Sequence, residues 1–319
     1  MRRPLSSQQF QRFRGRALFL SCVALWCVAL PGSMGTAVAQ DLEPRAYAAS
    51  PIGLNFLVIA AGRSTGGVVV DASLPVEDVQ ASVNSLGVGA GRTIKIFGRT
   101  ALIVASLPYA WANVSGRVGE ETGQVSRSGL ADPRIKLSVN LVGGRALSVR
   151  EFVRAPRPTV LGVSLSVVPP LGQYYRDKLI NLGANRWAFK PEIGVSHLVG
   201  KWTIEGYAGA WLFTANDEFY TGTSVREQRP VVGVQGHASY TFKPRLWISG
   251  DATWYSGGRT ILDGVRKADL QRNSRVGVTL SLPLRRQQSL KIFGSAGATT
   301  RLGADFKTIG AAWQLSWFD

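Results

Sequence analysis

From Arg275 to Leu284 the chain reads RVGVTLSLPL, with Val, Val, Leu, Leu and Leu at even numbers and Arg, Gly, Thr, Ser and Pro at odd ones. Alternation with period two puts successive side chains on opposite faces of a strand. The same pattern recurs in RIKLSVNL (134–141), VVGVQGHASYTF (231–242) and LWISGDATWY (246–255). It predicts twelve strands, over 53–62, 83–97, 100–114, 134–142, 159–168, 188–199, 201–213, 231–242, 246–256, 275–284, 290–300 and 307–317, of which the first three alternate poorly. Most are long for strands of a soluble domain and match what crosses a bilayer at a tilt.

The connections carry the next step. GRT, GK, KPR and RRQQ join segments 2/3, 6/7, 8/9 and 10/11. Segments 1/2, 3/4, 5/6, 7/8 and 9/10 lie roughly 17 to 20 residues apart, so long and short alternate as in an outer-membrane barrel with short periplasmic turns and long external loops. GGRALSVREFVRAPRP, between segments 4 and 5, is the exception and predicts a small periplasmic element. The faces opposite the apolar ones are mostly Ser, Thr, Gly, Asn and Gln, where a soluble sandwich would carry Lys and Glu freely. Hydrocarbon tolerates no open sheet edge, so a sheet with such a face must close. The fold class read from the pattern is all-β: a closed antiparallel transmembrane β-barrel of about twelve strands.

Trp202, Trp247 and Trp317 fall at the predicted periplasmic strand ends, with Trp111 and Trp254 at the opposite ends, as two interfacial girdles require. The last segment, IGAAWQLSWFD, alternates into terminal aromatics. It resembles the final strand by which outer-membrane barrels are recognised for insertion, except that Phe318 and Asp319 trail the in-register Trp317. Val276, Val278, Leu280, Leu282 and Leu284 are therefore expected against lipid, and Arg275, Thr279 and Ser281 against an enclosed polar lumen.

Composition agrees with an exported chain. Residues 1–39 combine five Arg, the apolar run ALFLSCVALWCVALP and an Ala-x-Ala pattern ending at Ala39, which predicts a cleaved signal peptide and leaves 40–319 as the barrel domain. A lipoprotein signal at Cys22 fits less well, because Phe19 is a poor match and the apolar run continues past it. Both cysteines lie inside this segment, so no thiol or disulfide chemistry is expected in the mature chain. Its removal takes five of 37 basic residues and none of the 20 acids, leaving +12. In an exported protein that surplus points to lipopolysaccharide, lipid headgroups or anionic solutes rather than nucleic acid. Beyond the signal no run of 18 apolar residues offers a helical span.

Projecting the alternation inward gives Lys95, Arg134, Lys136, Asn140, Lys190, Glu192, Glu205, Gln235, His237, Asp251, Arg275 and Lys291 as pore-lining candidates. Bases outnumber acids there, which in an open pore favours anions, among them the carboxylates of aromatic acids. The same residues would equally pair across a plugged interior. The loop QYYRDKLINLGANRW brings Tyr174, Tyr175, Asp177, Lys178, Asn181, Asn185, Arg186 and Trp187 together as an entry site for a ring-bearing solute, or as a loop folded into the mouth for structure.

Catalysis finds little support. His237 and Ser239 share a strand face but stand about 7 Å apart at a rise of ~3.3 Å per residue, beyond direct proton relay. His197 falls in the outward frame near a turn. GVGAG at 87–91 lacks dinucleotide-site spacing, Asp217/Glu218 and Asp263/Gly264 do not complete a calcium loop, and two histidines without cysteine leave no zinc site. No cofactor, metal or catalytic residue is expected.

Longer motifs in fixed order carry a resemblance. PIGLNFL (51–57), DASLPVEDV (71–79), GLADPRIKLSVNLVG (129–143), PPLGQYYRDKLINLGANRWAFKPEIGVS (169–196), NDEF with REQRP (216–230), HASYTF (237–242), SGGRT (256–260), NSRVGVTLSLPL (273–284) and AAWQLSW (311–317) make the chain similar, from about Arg45 to Trp317, to the outer-membrane transporter family named for the meta-pathway of phenol degradation. The resemblance implies a barrel that passes aromatic or other hydrophobic compounds. The expected function is a passive outer-membrane channel for small aromatic, hydrophobic or anionic solutes, with a plugged structural or surface-binding barrel as the alternative. Its expected partners are outer-membrane lipid and lipopolysaccharide, the solute and the barrel-insertion machinery.

Overall fold

The computed structural model describes residues 42–69, 77–118 and 120–319, so the predicted signal peptide lies outside the described residues. The chain runs through β1 (Leu54–Val69), β2 (Glu77–Ile96), β3 (Arg99–Val118), β4 (Glu121–Leu130), β5 (Arg134–Val142), helix α1 (Val149–Arg154), β6 (Val160–Val168), β7 (Ala188–Val199), β8 (Trp202–Phe213), β9 (Asn216–Phe219) and β10 (Ser224–Gln228). It continues through β11 (Val231–Lys243), β12 (Leu246–Gly257), β13 (Thr260–Leu262), β14 (Val265–Arg266), β15 (Gln271–Arg285), β16 (Gln288–Thr300) and β17 (Gly303–Phe318). Twelve of these strands close a ring in the order β1, β2, β3, β5, β6, β7, β8, β11, β12, β15, β16, β17. Every neighbouring pair is antiparallel, and the ring shuts along β1 and β17 from Leu54↔Phe318 to Val69↔Gly303. All twelve expected segments are there.

The closed sheet is inside out relative to a soluble domain. On β15, Val276 and Val278 are about half exposed (51 % and 53 %) while Arg275 and Ser281 are 3 % and 2 % exposed. The apolar face meets the surroundings and the polar face is shut away, which is what a hydrocarbon solvent outside the barrel selects. Trp202, Trp317, Trp111 and Trp254 are exposed as the girdles require. Trp247 is not; it is 6 % exposed and faces inward, because it shares parity with the buried Ser249 and Asp251.

One end of the ring carries tight turns. Phe97 and Gly98 join β2 to β3 with both residues at positive φ, +48° and +76°, the two-residue geometry that matches strand twist. Gly200–Lys201, Pro244–Arg245 and Arg286–Gln287 make the corresponding turns between β7/β8, β11/β12 and β15/β16. The connection between segments 4 and 5 forms, at this end, helix α1, opened by a Ser148–Glu151 capping box.

The other end is more structured than the sequence pattern suggests. β1 and β2 extend well past their predicted ends, so only residues 70–76 separate them rather than a long loop. β3 hands its neighbour over: its first half pairs with β5 (Ser106↔Arg134 to Ala101↔Val139) and its second half with β4 (Tyr109↔Leu130 to Val118↔Glu121). The connections after β8 and β12 supply a separate four-stranded sheet in the order β14, β13, β10, β9. Beyond the bilayer both strand faces meet water or loops, so the alternation that marks the membrane zone fades there.

The strand ends near the tight turns are also tied by side chains. Asp319 accepts a hydrogen bond from Asn55 Nδ2 at 2.9 Å and pairs with Arg92. The trailing acid thus closes on β1 and β2.

Candidate functional site in the barrel interior and its outer mouth

Residues 42–50 precede β1 and enter the lumen from the tight-turn end. Glu43 binds Arg134 Nη2 through Oε1 at 2.5 Å and Lys136 Nζ through Oε2 at 2.6 Å. Lys136 also stands 3.6 Å from Glu192 Oε1, and Lys190 pairs with Glu192 Oε2 at 2.6 Å. The result is a chain of alternating charge, Arg134–Glu43–Lys136–Glu192–Lys190, laid across β5 and β7. Arg45 donates its backbone N–H to Glu205 Oε2 and its Nη2 to Thr241 Oγ1, both at 2.6 Å, and its guanidinium sits 4.5 Å above the Trp247 ring.

Tyr47 is 1 % exposed. Its hydroxyl meets Ser164 Oγ at 2.8 Å and donates to Glu192 Oε1 at 3.2 Å, and its ring packs edge-on against Tyr207 with centroids 5.0 Å apart. The ring fits because Gly162 and Gly194 lie beneath it: a Cβ on either would come within 2.6 Å or 2.3 Å of ring carbons. Leu42 similarly fills the place of a side chain at Gly277. Deeper on the same wall, His237 Nδ1 and Ser249 Oγ meet Asp251 Oδ1 at 2.8 and 2.6 Å, and Thr279 donates to Oδ2 at 3.2 Å.

The opposite wall is unlike this one. The inward positions of β1, β2 and β3 include Gly62, Ser85, Gly87, Gly89, Ala110 and Ala112, none of them charged. Leu86 and Val88 are exposed on the outer face, so Gly87 points inward, and a Cβ there would meet no atom of the described residues within 4 Å. Space therefore remains in the lumen beside Gly87.

Above the lumen lies an apolar collar of Val168, Trp211, Val231 and Tyr255, with Phe213 packed against it. The 169–187 connection folds inward over this end, where Leu182 packs on Ala110 and Ala112. Asn181, 2 % exposed, ties the loop to itself by accepting from Tyr175 N at 2.8 Å and donating to the Tyr175 and Lys178 carbonyls. Asp132 pins it from outside the loop, accepting Gly172 N and Ala184 N, both at 2.7 Å. Burial pushes the Asp132 carboxyl up, against those hydrogen bonds. Asn185 donates to Asn216 Oδ1, and Asn216 donates to Tyr174 Oη, both at 3.0 Å. Arg186 lies 4.3 Å over the Phe213 ring, and burial together with the nearby Arg226 charge pushes it down to about 9, still cationic at neutral pH.

Of the expected pore residues, Lys136, Asn140, Glu192, Glu205, His237, Asp251 and Arg275 are buried inside the ring, and Arg134, Lys190, Gln235 and Lys291 are partly buried there. Lys95 differs: it is exposed at the rim beside the Phe97–Gly98 turn, because its strand ends before reaching the enclosed zone. The loop group divides. Tyr174, Asn181, Asn185 and Arg186 turn inward, whereas Tyr175, Asp177, Lys178 and Trp187 are exposed, with Lys178 on Asp177 at 2.8 Å and Trp187 stacked on Phe189. His197 is exposed and bonded to Thr159 Oγ1 at 2.6 Å.

Glu43, Arg45 and Tyr47 were absent from the sequence-based candidates. Their signal is the period-two spacing of polar groups in DLEPRAY, which is too short and too poor in apolar residues to stand out as a strand.

A sequence profile of the family described as "Putative MetA-pathway of phenol degradation" matches residues 60–306. Among solved structures, the chain superposes on an outer-membrane channel from Pseudomonas putida F1 with a TM-score of 0.72 at 19 % identity, covering 87 % of this chain and 100 % of that one. It is more distantly similar to the β domain of a Bordetella autotransporter (TM-score 0.48, 12 % identity, 83 % and 100 % covered) and to the translocator domain of the autotransporter NalP from Neisseria meningitidis (0.48, 12 %, 89 % and 93 %). No curated protein matches the chain. The first superposition establishes the fold as that of an outer-membrane barrel.

Proposed function

The chain belongs to the family described as "Putative MetA-pathway of phenol degradation", and from that premise we propose that it is a passive outer-membrane channel for small aromatic or hydrophobic solutes, including their carboxylates. The supporting observation is the two-sided lumen: a charged wall occupied by residues 42–50 faces an uncharged wall that is small around Gly87, where the described residues leave free space. A flat ring slides past glycine and alanine without having to desolvate a charge, and the basic surplus opposite attracts its carboxylate. Arg134, Lys136 and Lys190 share the two acids Glu43 and Glu192, and Arg275 and Lys291 add to the surplus. Residues 1–39 serve as the cleaved export signal of a barrel domain over 40–319. Lipopolysaccharide and the barrel-insertion machinery are its partners in the membrane and on the way there.

The chemistry of the interior argues for passage rather than turnover. His237 is held by Asp251, and among the described residues Ser239 Oγ has no hydrogen-bond partner while Ser249 Oγ bonds the carboxylate rather than the imidazole, so no hydroxyl is hydrogen-bonded to His237. The test is uptake of labelled aromatic acids into liposomes carrying the purified protein, beside neutral aromatics of similar size. Uptake of both, faster for the acids, is the expected result; uptake no faster than into protein-free liposomes ends the proposal.

A second reading is favoured by one observation, the many bonds that hold residues 42–50 in the lumen. In that reading the segment is a permanent plug and the outer loops do the work. Planar-bilayer recordings separate the two, since a permanent plug gives no conductance steps above background.

A further inference from the structure

Among the described residues, two cations of the outer mouth have no ion-pair partner. Arg186, from the 169–187 connection, and Arg226, on the inner face of β10, are each 4 % exposed. Each keeps a buried guanidinium nitrogen with no hydrogen-bond partner among the described residues, Nη1 of Arg186 and Nη2 of Arg226. Arg186 Nη2 donates to Gln228 Oε1, and Arg226 lies 5.1 Å from the Phe219 ring centroid. The acids whose charge reaches them are engaged elsewhere. Asp132 is held by Gly172 N and Ala184 N, and Asp269 accepts Thr260 N at 2.8 Å and Thr260 Oγ1 at 2.5 Å. Glu218 is exposed, with Arg176 at 4.0 Å. Two neighbouring guanidinium ions held out of water without a contacting anion are unfavourable, and an anion between them relieves both.

We propose that Arg186 and Arg226 form a receptor for one carboxylate group on a small solute with an apolar body. The planar forks of two guanidinium groups suit the two oxygens of a carboxylate. Below them, Phe213 leads to the collar of Val168, Trp211, Val231 and Tyr255, which takes the ring or alkyl part. As an entry station for transported acids the site rests on the channel reading; as a binding site it does not.

The experiment uses the detergent-solubilised full-length barrel and benzoate, with benzyl alcohol and inorganic phosphate as comparison arms, read by fluorescence titration and by thermal unfolding. Benzoate is expected to bind saturably and raise the melting temperature, benzyl alcohol to do neither, and phosphate to bind more weakly. Arg226→Gln and Arg186→Gln should each weaken benzoate about tenfold or more, the loss of charge-assisted hydrogen bonds. Arg226→Met, which removes one of two crowded charges, should melt higher than wild type without ligand and lose the benzoate increment.

Equal binding of benzoate and benzyl alcohol, no saturable benzoate effect on the wild type, or unchanged affinity in Arg226→Gln each overturns the proposal. Tighter binding of phosphate than benzoate overturns the carboxylate assignment. If the variants fail to fold, the wild-type comparison of benzoate with benzyl alcohol still decides. Conductance steps without benzoate binding sink this site and spare the channel; benzoate binding without steps does the reverse.

Discussion

The inner wall of the barrel has two halves built to different rules. From β5 round to β15, inward positions below the apolar collar are mostly charged or hydrogen-bonding, and residues 42–50 lie against them through bonds to Arg134, Lys136, Ser164, Glu205 and Thr241. From β1 to β3 the inward positions around Gly87 are uncharged and mostly small, with Phe56 and Val104 farther along the same face, and among the described residues nothing lies within 4 Å of a would-be Cβ on Gly87. One half holds an occupant and the other leaves room beside it. Charge in a confined interior must be matched by charge, so the polar half recruits the chain's own acid and base, whereas the bland half needs nothing.

Removing the occupant should give the largest change. Deletion of residues 42–50 is expected to raise single-channel conductance severalfold in planar bilayers; an unchanged step size would mean that the segment does not limit the path. Next comes the bland half. Gly87→Phe puts a ring into the free space and should cut uptake of neutral aromatics by more than half, on the order of the loss from blocking a narrow pore, with little change in thermal stability. Gly87→Ala, which adds a methyl group with nothing to strike, serves as its control.

A moderate effect is expected from Lys136→Glu. It sets a third carboxylate beside Glu43 and Glu192, so the segment should loosen and the preference for aromatic acids over neutral aromatics should fall, as read from the ratio of liposome uptake rates. An unchanged ratio would remove Lys136 from the path. The smallest effect concerns the outside of the ring, where Arg92→Ala breaks an ion pair exposed on both sides and should lower stability by no more than about 1 kcal/mol in denaturant unfolding.

The parts of this architecture that were legible in sequence are those where two solvents meet across one sheet. Arg275 to Leu284 alternates cleanly because lipid selects one face and the lumen the other, and β15 follows as expected. The outer halves of β1 and β3 were not legible, since GRSTGG and NVSGRV belong to strands that stand clear of the bilayer and face no hydrocarbon. Trp247 was misplaced because an aromatic at a strand end suits a girdle, yet its parity with Ser249 turns it under Arg45. Arg186 was visible as a loop cation. Its burial was not, because Arg226 and Gln228 reach it from a connection about 40 positions later, paired through a small sheet that no local pattern announces.

Residues 42–50 have a mechanical consequence as well. Their bonds fasten neighbouring staves of the barrel to one another, from β3, where Thr100 Oγ1 donates to the Ser50 carbonyl at 3.5 Å, through β12, and among the described residues they leave the stretch through β17, β1 and β2 unlaced. Any widening of the bore is then expected from the unlaced arc, with the laced flank the stiffer of the two.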